Sequence, residues 1–194
     1  AGLNPVEVDL IPFALTRVHV RGSNAGGTVA LIDVGATTTN VVIATNGVPQ
    51  FVRIIPAGGD EITKALVTRL DMTAASAEQA KRTLGIVTVG VAPEHRPIVE
   101  VIHEATGQLL NGLRNTLNYF VNARQQDAIG RILLTGGGSK LPGFETALEE
   151  ITRVPVSTDD GFGGVKMTRV AEKDATAGRG GMTVALGLAL GSKA

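Results

Sequence analysis

Three β-prone stretches, Val29–Val34, Asn40–Thr45 and Gln50–Ile55, follow one another with only short polar turns between them. Asn46-Gly47 joins the last two, the strongest short hairpin signal a sequence offers. The pattern predicts an antiparallel three-strand meander. Beyond it the apolar residues recur at helical spacing. Ala57-Gly58-Gly59-Asp60 turns the chain into a helix with Asp60 as N-cap and a buried stripe of Ile62, Ala65, Leu66 and Leu70. A second helix spans Ala74 to Leu84 and stops at Gly85. Ile86–Val91 is β-prone, and Pro93–Pro97 connects it to a long amphipathic helix that ends near Ala123. The apolar face of that helix carries Ile98, Val101, Ile102, Ala105, Leu109, Leu113, Leu117, Phe120 and Val121, with Tyr119 also assigned to the core.

The flanks are simpler. Val6–Leu10 alternates weakly, as a short strand would. Pro12 opens a helix through Val18, at a position where its missing N–H costs nothing, and Ser23–Gly27 is a loop. After the long helix, Ile129–Leu134 reads as a buried strand running into Thr135-Gly136-Gly137-Gly138-Ser139. A helix at Gly143–Ile151 and a short strand at Val154–Ser157 follow. Asp159–Gly181 is glycine-rich and reads as loop, and Met182–Leu190 is a closing helix whose small residues imply close packing. The elements describe an α/β protein.

Composition narrows the function classes. The 194 residues carry 18 basic and 18 acidic side chains, with no block of like charge to grip nucleic acid. Without cysteine there is neither a disulfide framework nor a thiolate metal site, which suits a reducing cytoplasm. His19, His95 and His103 lack ligand spacing and read as surface or partly packed residues. No apolar run is long enough to cross a bilayer. The start, Ala1-Gly2-Leu3, is unlike a signal peptide, and the chain reads as a piece of a longer protein.

Candidate chemistry gathers at two glycine turns, each at the end of an apolar strand, where open α/β folds bind ligands. The first, Asp33 to Thr38, offers backbone amides, the flexible Gly35, the hydroxyls of Thr37 and Thr38, and a carboxylate beside them. Asp33 there could hold Mg²⁺ through water or an attacking water. An ordinary hairpin satisfying its own turn is the plain alternative. The second turn, Gly136-Gly137-Gly138-Ser139, allows close approach of a nucleoside or is a simple strand-to-helix loop. Glu78, Lys81 and Arg82 stand at i, i+3 and i+4 and share one helix face, either as a solvated ion-paired surface or as ligands. Gly58 and Gly59 fit helix entry or ribose contact.

Here the order of motifs resembles the second lobe of the actin-like, ribonuclease H-like ATPase superfamily of actin, heat-shock chaperone ATPases, sugar kinases and FtsA. DVGATTTN is similar to its second phosphate motif, LLTGGGSKLPG to its adenosine motif, and AEQAKRTLG to the chaperone segment that holds ribose and adenine. Pro12–Val18 and Met182–Leu190 resemble the two connecting helices. Within the superfamily, AGLNPVEVDLIPFALTR, DVGAT, IIPAGGDEIT, LRNTLNYF and GLALG resemble the PilM family of type IV pilus assembly, from one end of the chain to the other.

The resemblance implies a mixed sheet flanked by helices. Residues 1–28 would connect from a first lobe, 29–57 and 92–194 would form the sheet-based subdomain, and 58–91 a small inserted one. ATP or ADP with Mg²⁺ would bind at Gly35, Ala36, Thr37, Thr38, Gly58, Gly59 and Gly136 to Ser139. Asp33 would lie near Mg²⁺ and water, Glu78 and Lys81 on ribose, and Arg82 stacked on adenine. Ala36-Thr37 replaces two glycines, and side chains there restrict wrapping of a γ-phosphate, which implies weak or absent hydrolysis. The family reading implies a cytoplasmic platform at the inner face of the cell membrane, without insertion into lipid. Nucleotide would act as its switch and a PilN-like cytoplasmic tail as its partner, with self-association an open option. An FtsA-like division protein and an ATPase or phosphotransferase of the same fold are the alternatives.

Overall fold

The first two apolar runs pair as strands buried on both faces. A computed structural model describes residues 7–87, 89–124, 128–162 and 182–191. In it β1 (Thr28–Val34), β2 (Thr39–Thr45) and β3 (Val48–Ile55) form the meander. β1 and β2 are antiparallel with Asp33 opposite Asn40, and β2 turns into β3 at Asn46-Gly47. Both turn residues have positive φ, as the tight hairpin turn requires.

The chain then crosses over through α2 (Gly59–Leu70), α3 (Ala74–Leu84) and α4 (Arg96–Ala123). A crossover of this kind is obligatory, because β4 (Arg131–Thr135) returns parallel to β1. After α5 (Phe144–Thr152), β5 (Val156–Thr158) adds in parallel beside β4, giving the mixed order β3-β2-β1-β4-β5. The register sets Asp33 level with Thr135. Both glycine turns therefore leave the same end of the sheet, side by side.

Central β1 is buried throughout except at half-buried Asp33, and its side chains divide by parity. Ala30, Ile32 and Val34 join Leu66, Ile102, Leu113, Phe120 and Phe144 in the larger core. Val29 and Leu31 join Leu15, Val42 and Leu133 in a second, smaller one. That second core is covered by α1 (Ile11–His19) and by a helix at 182–191, here α6. Val184 of α6 packs against it. The two helices touch through backbone, since a Cβ at Gly187 would stand 2.0 Å from the Ala14 carbonyl oxygen. Arg17 Nε donates to the Gly187 carbonyl at 2.9 Å. Among the described residues no helix is long and apolar enough to cross a membrane.

Several expectations need correction. Residues 7–10 belong to no strand, and Val6 lies outside the described residues. Ile86–Val91 forms turn, not strand, over its described residues, because the Ile86 amide donates to the Pro142 carbonyl instead of a ladder. Gly58, not Asp60, is the N-cap of α2. Tyr119 is 62% exposed, packed beside Phe51 at the meander's edge, and Val121 is also exposed. His19 is fully buried, with Nδ1 3.0 Å from Asp159 Oδ2. Of the expected loop at Asp159–Gly181, residues 163–181 lie outside the described residues.

Candidate functional site

The paired turns and α3 enclose a cleft of about 630 Å³, within the usual range for small-molecule sites. Gly35 and Ala36 of the first turn line it together with Gly136, Gly137 and Gly138 of the second, here called its floor, and Glu78, Lys81 and Arg82 of α3, here called its wall.

The first turn is closed by the Gly35 amide donating to the Thr38 carbonyl at 3.0 Å. Its tip, Ala36 to Thr38, is exposed, and Thr37 and Thr38 lie outside the cleft lining. The turn rests on α2: the Gly59 amide donates to Gly35 O at 3.0 Å and the Asp60 amide to Ala36 O at 2.8 Å. Two of the helix's free N-terminal amides thus serve the turn's carbonyls. Gly58 is required there, because a Cβ would stand 2.5 Å from Gly35 O and 2.6 Å from Ala36 O. It sits behind the turn, and Gly59 lines the cleft.

Asp33 lies just beneath, accepting a 3.0 Å hydrogen bond from Asn40 Nδ2. Burial pushes its carboxyl above the usual range, against the Asn40 bond and the nearby His19. Among the described residues no three acidic or histidine side chains cluster for a metal. A lone carboxylate suits Mg²⁺, which commonly takes one or two carboxylates and completes its shell from phosphate and water.

The second turn is packed against the first strand. Gly136 has φ +87°, and a Cβ there would meet Asp33 Oδ1 and Val34 O at 2.5 Å. One at Gly138 would reach Val34 Cγ1 at 2.3 Å, whereas one at Gly137 would meet nothing within 4 Å. Ser139 Oγ donates back to the Gly136 carbonyl at 2.7 Å and is absent from the lining.

On α3, Thr73 caps the helix, its hydroxyl accepting from the Ser76 amide. Glu78 Oε2 lies 2.6 Å from Lys81 Nζ, and Oε1 accepts from Arg82 Nε at 2.7 Å. Partial burial raises the Glu78 pKa, but hydrogen bonds from Lys81, Arg82 and Thr63 outweigh it and hold the carboxyl at about 2. Lys81 is buried and Arg82 largely exposed at the rim.

Gly35, Ala36, Gly59, Glu78, Lys81, Arg82 and Gly136 to Gly138 therefore meet at one cleft, with Asp33, Gly58, Thr37, Thr38 and Ser139 behind or beside it. Sequence reasoning missed Asp60, Lys140, Leu141 and Phe144 in the lining, and the supporting Asn40 and Thr63. Asn40 was within reach: it mirrors Asp33 across the hairpin turn.

The chain matches the family described as type IV pilus assembly protein PilM over residues 1–193. It belongs to that family. A solved structure titled PilM-PilN type IV pilus biogenesis complex superposes with a TM-score of 0.79 at 27% identity, over 97% of this chain and 53% of that one. Cell division protein FtsA of Bacillus subtilis is 26% identical over 167 residues, 78% of this chain and 38% of that protein. MreB5 of Spiroplasma citri bound to ADP, at 15% identity and a TM-score of 0.66 over 97% of this chain and 60% of that one, shares the fold. The chain thus spans about half the length of the PilM structure (53%) and less of FtsA (38%). The fold of this PilM-family member is actin-like.

Proposed function

We propose that this chain forms one wall of an adenine-nucleotide site in an actin-like cytoplasmic platform protein of type IV pilus assembly. The observation that carries the reading is the convergence of the two glycine turns and the Glu78–Lys81–Arg82 face on a single cleft large enough for a nucleotide. The phosphates would lie toward the Gly35-Ala36 turn, with Thr37 and Thr38 at its outer side. The nucleoside would lie toward Gly136–Ser139, with Glu78 directed at ribose hydroxyls and the Arg82 guanidinium stacked on the base. Asp33 would face Mg²⁺ through water. Mg²⁺, when bound, would supply positive charge that neutralises the nucleotide's phosphate oxygens.

Nucleotide acts in this reading as a conformational switch for docking, with hydrolysis weak or absent because Ala36 and Thr37 carry side chains at the phosphate turn. Similarity to the PilM-PilN complex supports a PilN-like partner. In this reading the partner's cytoplasmic tail holds the protein at the inner face of the membrane. The FtsA similarity, 26% over most of this chain, supports a second reading as a division-type protein, which would form filaments. Sedimentation with ATP separates the two, since filaments would pellet.

Calorimetry on the full-length gene product tests the site. Arg82→Ala should weaken ADP and ATP alike, on the order of tenfold for a lost desolvated cation–π contact. ADP binding as tight as in the unaltered protein would remove the base from this wall of the cleft.

A further inference from the structure

The ribose role assigned to Lys81 conflicts with its own hydrogen bonds. An ammonium group has three protons to donate. Lys81 Nζ lies 3.0 Å from the Gly59 carbonyl oxygen, 2.9 Å from Thr63 Oγ1 and 2.6 Å from Glu78 Oε2. The side chain is also buried at the base of the α2–α3 contact. A sugar hydroxyl could take a proton from Lys81 only by displacing one of these acceptors.

We propose that Lys81 is a positioning residue that locks the Gly35-Ala36 turn through α2, so that the nucleoside wall and the phosphate turn move as one unit. This rests on the nucleotide reading above and adds to it the route by which the two ends of the cleft are coupled.

The path is short and every step is a hydrogen bond. Thr63 Oγ1 accepts from Lys81 and donates to Glu78 Oε2 at 2.8 Å, closing a three-membered network on the wall of the cleft. Lys81 then holds the Gly59 carbonyl. The amide of that same glycine holds the Gly35 carbonyl at 3.0 Å, and the next amide holds Ala36. Gly58 brings the two backbones into contact at distances no side chain would allow. Disturbing Glu78 at the sugar end therefore changes the charge balance on Lys81, and with it the grip on the turn. A plain α2–α3 clamp would stop at Gly59.

Amide hydrogen exchange on the nucleotide-free, full-length gene product tests the reach of the network. Lys81→Met keeps the length of the side chain and removes its donors. It should speed exchange at the Gly59 and Asp60 amides by about tenfold or more relative to Leu66, further along the same helix. Thr63→Val should do so in part, and Thr63→Ser should restore the original rates. Adenosine and ADP titrations complete the test: Lys81→Met should weaken ADP about tenfold more than it weakens adenosine. Unchanged exchange at Gly59 and Asp60 overturns the coupling, and equal losses for adenosine and ADP return Lys81 to the role of direct nucleoside ligand. An unaltered protein that fails to bind ADP overturns the nucleotide reading, with the exchange result still deciding whether Lys81 controls the turn.

Discussion

The two turns share a place, each at the end of an apolar strand, but the first holds one glycine and the second three, and those glycines answer to different neighbours. In the turn after β4, Gly136 and Gly138 are glycine because Asp33 and Val34 of the adjacent strand occupy the space a Cβ would need. Only Gly137 faces open volume. In the turn after β1, Ala36 to Thr38 stand exposed, and the tight contact lies beneath, where Gly58 touches the carbonyls of Gly35 and Ala36. One turn is a floor set by strand packing, and the other is a cantilever held from below by a helix N-terminus. A glycine beside a ligand cleft can thus serve the protein's own backbone first.

The strongest way to break this comparison is Gly136→Ala. It combines a left-handed φ with two 2.5 Å overlaps, so unfolding free energy should fall by on the order of 3 kcal/mol in chemical denaturation. A loss below about 0.5 kcal/mol would mean the floor is not set by strand packing. Gly58→Ala should cost less, about 2 kcal/mol, since its backbone is extended and the overlap is relieved by moving the turn. It should also weaken ADP more than adenosine, because the displaced element is the phosphate end.

Charge offers a finer contrast between the cantilever's base and the α3 wall. Burial holds Asp33 above its usual pKa, so the folded state binds extra proton just above pH 3.8, and this contribution to stability grows as pH falls through that window. Asp33→Asn removes the unfavourable charge and keeps an acceptor for Asn40. It should raise the melting temperature at pH 7 by a few degrees, equivalent to about 1 kcal/mol or less, while lowering any nucleotide turnover. Glu78 has the opposite sign. Its folded pKa of about 2 lies below the ordinary 4.5, so the stability it contributes above pH 4.5 is lost as pH falls toward 2. Melting temperatures of Glu78→Gln and the unaltered protein should differ at pH 6 and converge near pH 2. A constant difference across that range would show that the ion-pair network contributes nothing through its charge.

The smallest expected effect is the sharpest on the floor itself. Gly137→Ala meets no atom within 4 Å, so stability should change by about 0.5 kcal/mol or less. The new methyl group would project into open space at the cleft floor, so ADP affinity should still fall measurably. Unchanged affinity would place the ligand elsewhere.

Much of the fold was legible because its signals are local. The meander was carried by continuous apolar runs and by Asn46-Gly47, whose positive φ values are a property of two residues. Helices α1 to α5 followed from period, proline and glycine. The misreadings arose where a distant partner decided. Ile86–Val91 has strand composition, but Pro142 takes the Ile86 amide. His19 looked like an isolated polar residue until Asp159, 140 positions away, covered it. Tyr119 keeps helical spacing with core residues, but it sits on the flank of α4 where the sheet ends.

The candidate site divides in the same way. That Glu78, Lys81 and Arg82 share a face follows from 3.6 residues per turn, and that each glycine turn ends a strand follows from the apolar runs. The sequence by itself therefore determined which groups could act together within one element. Only the tertiary structure decided that β4 lies parallel to β1, which sets both turns at one end of the sheet, and that α2 lodges its N-terminus under the first of them. It also turned the three donors of Lys81 inward. Those outcomes depend on backbone-to-backbone distances between segments tens of residues apart, and a linear pattern of side-chain types carries no record of such distances.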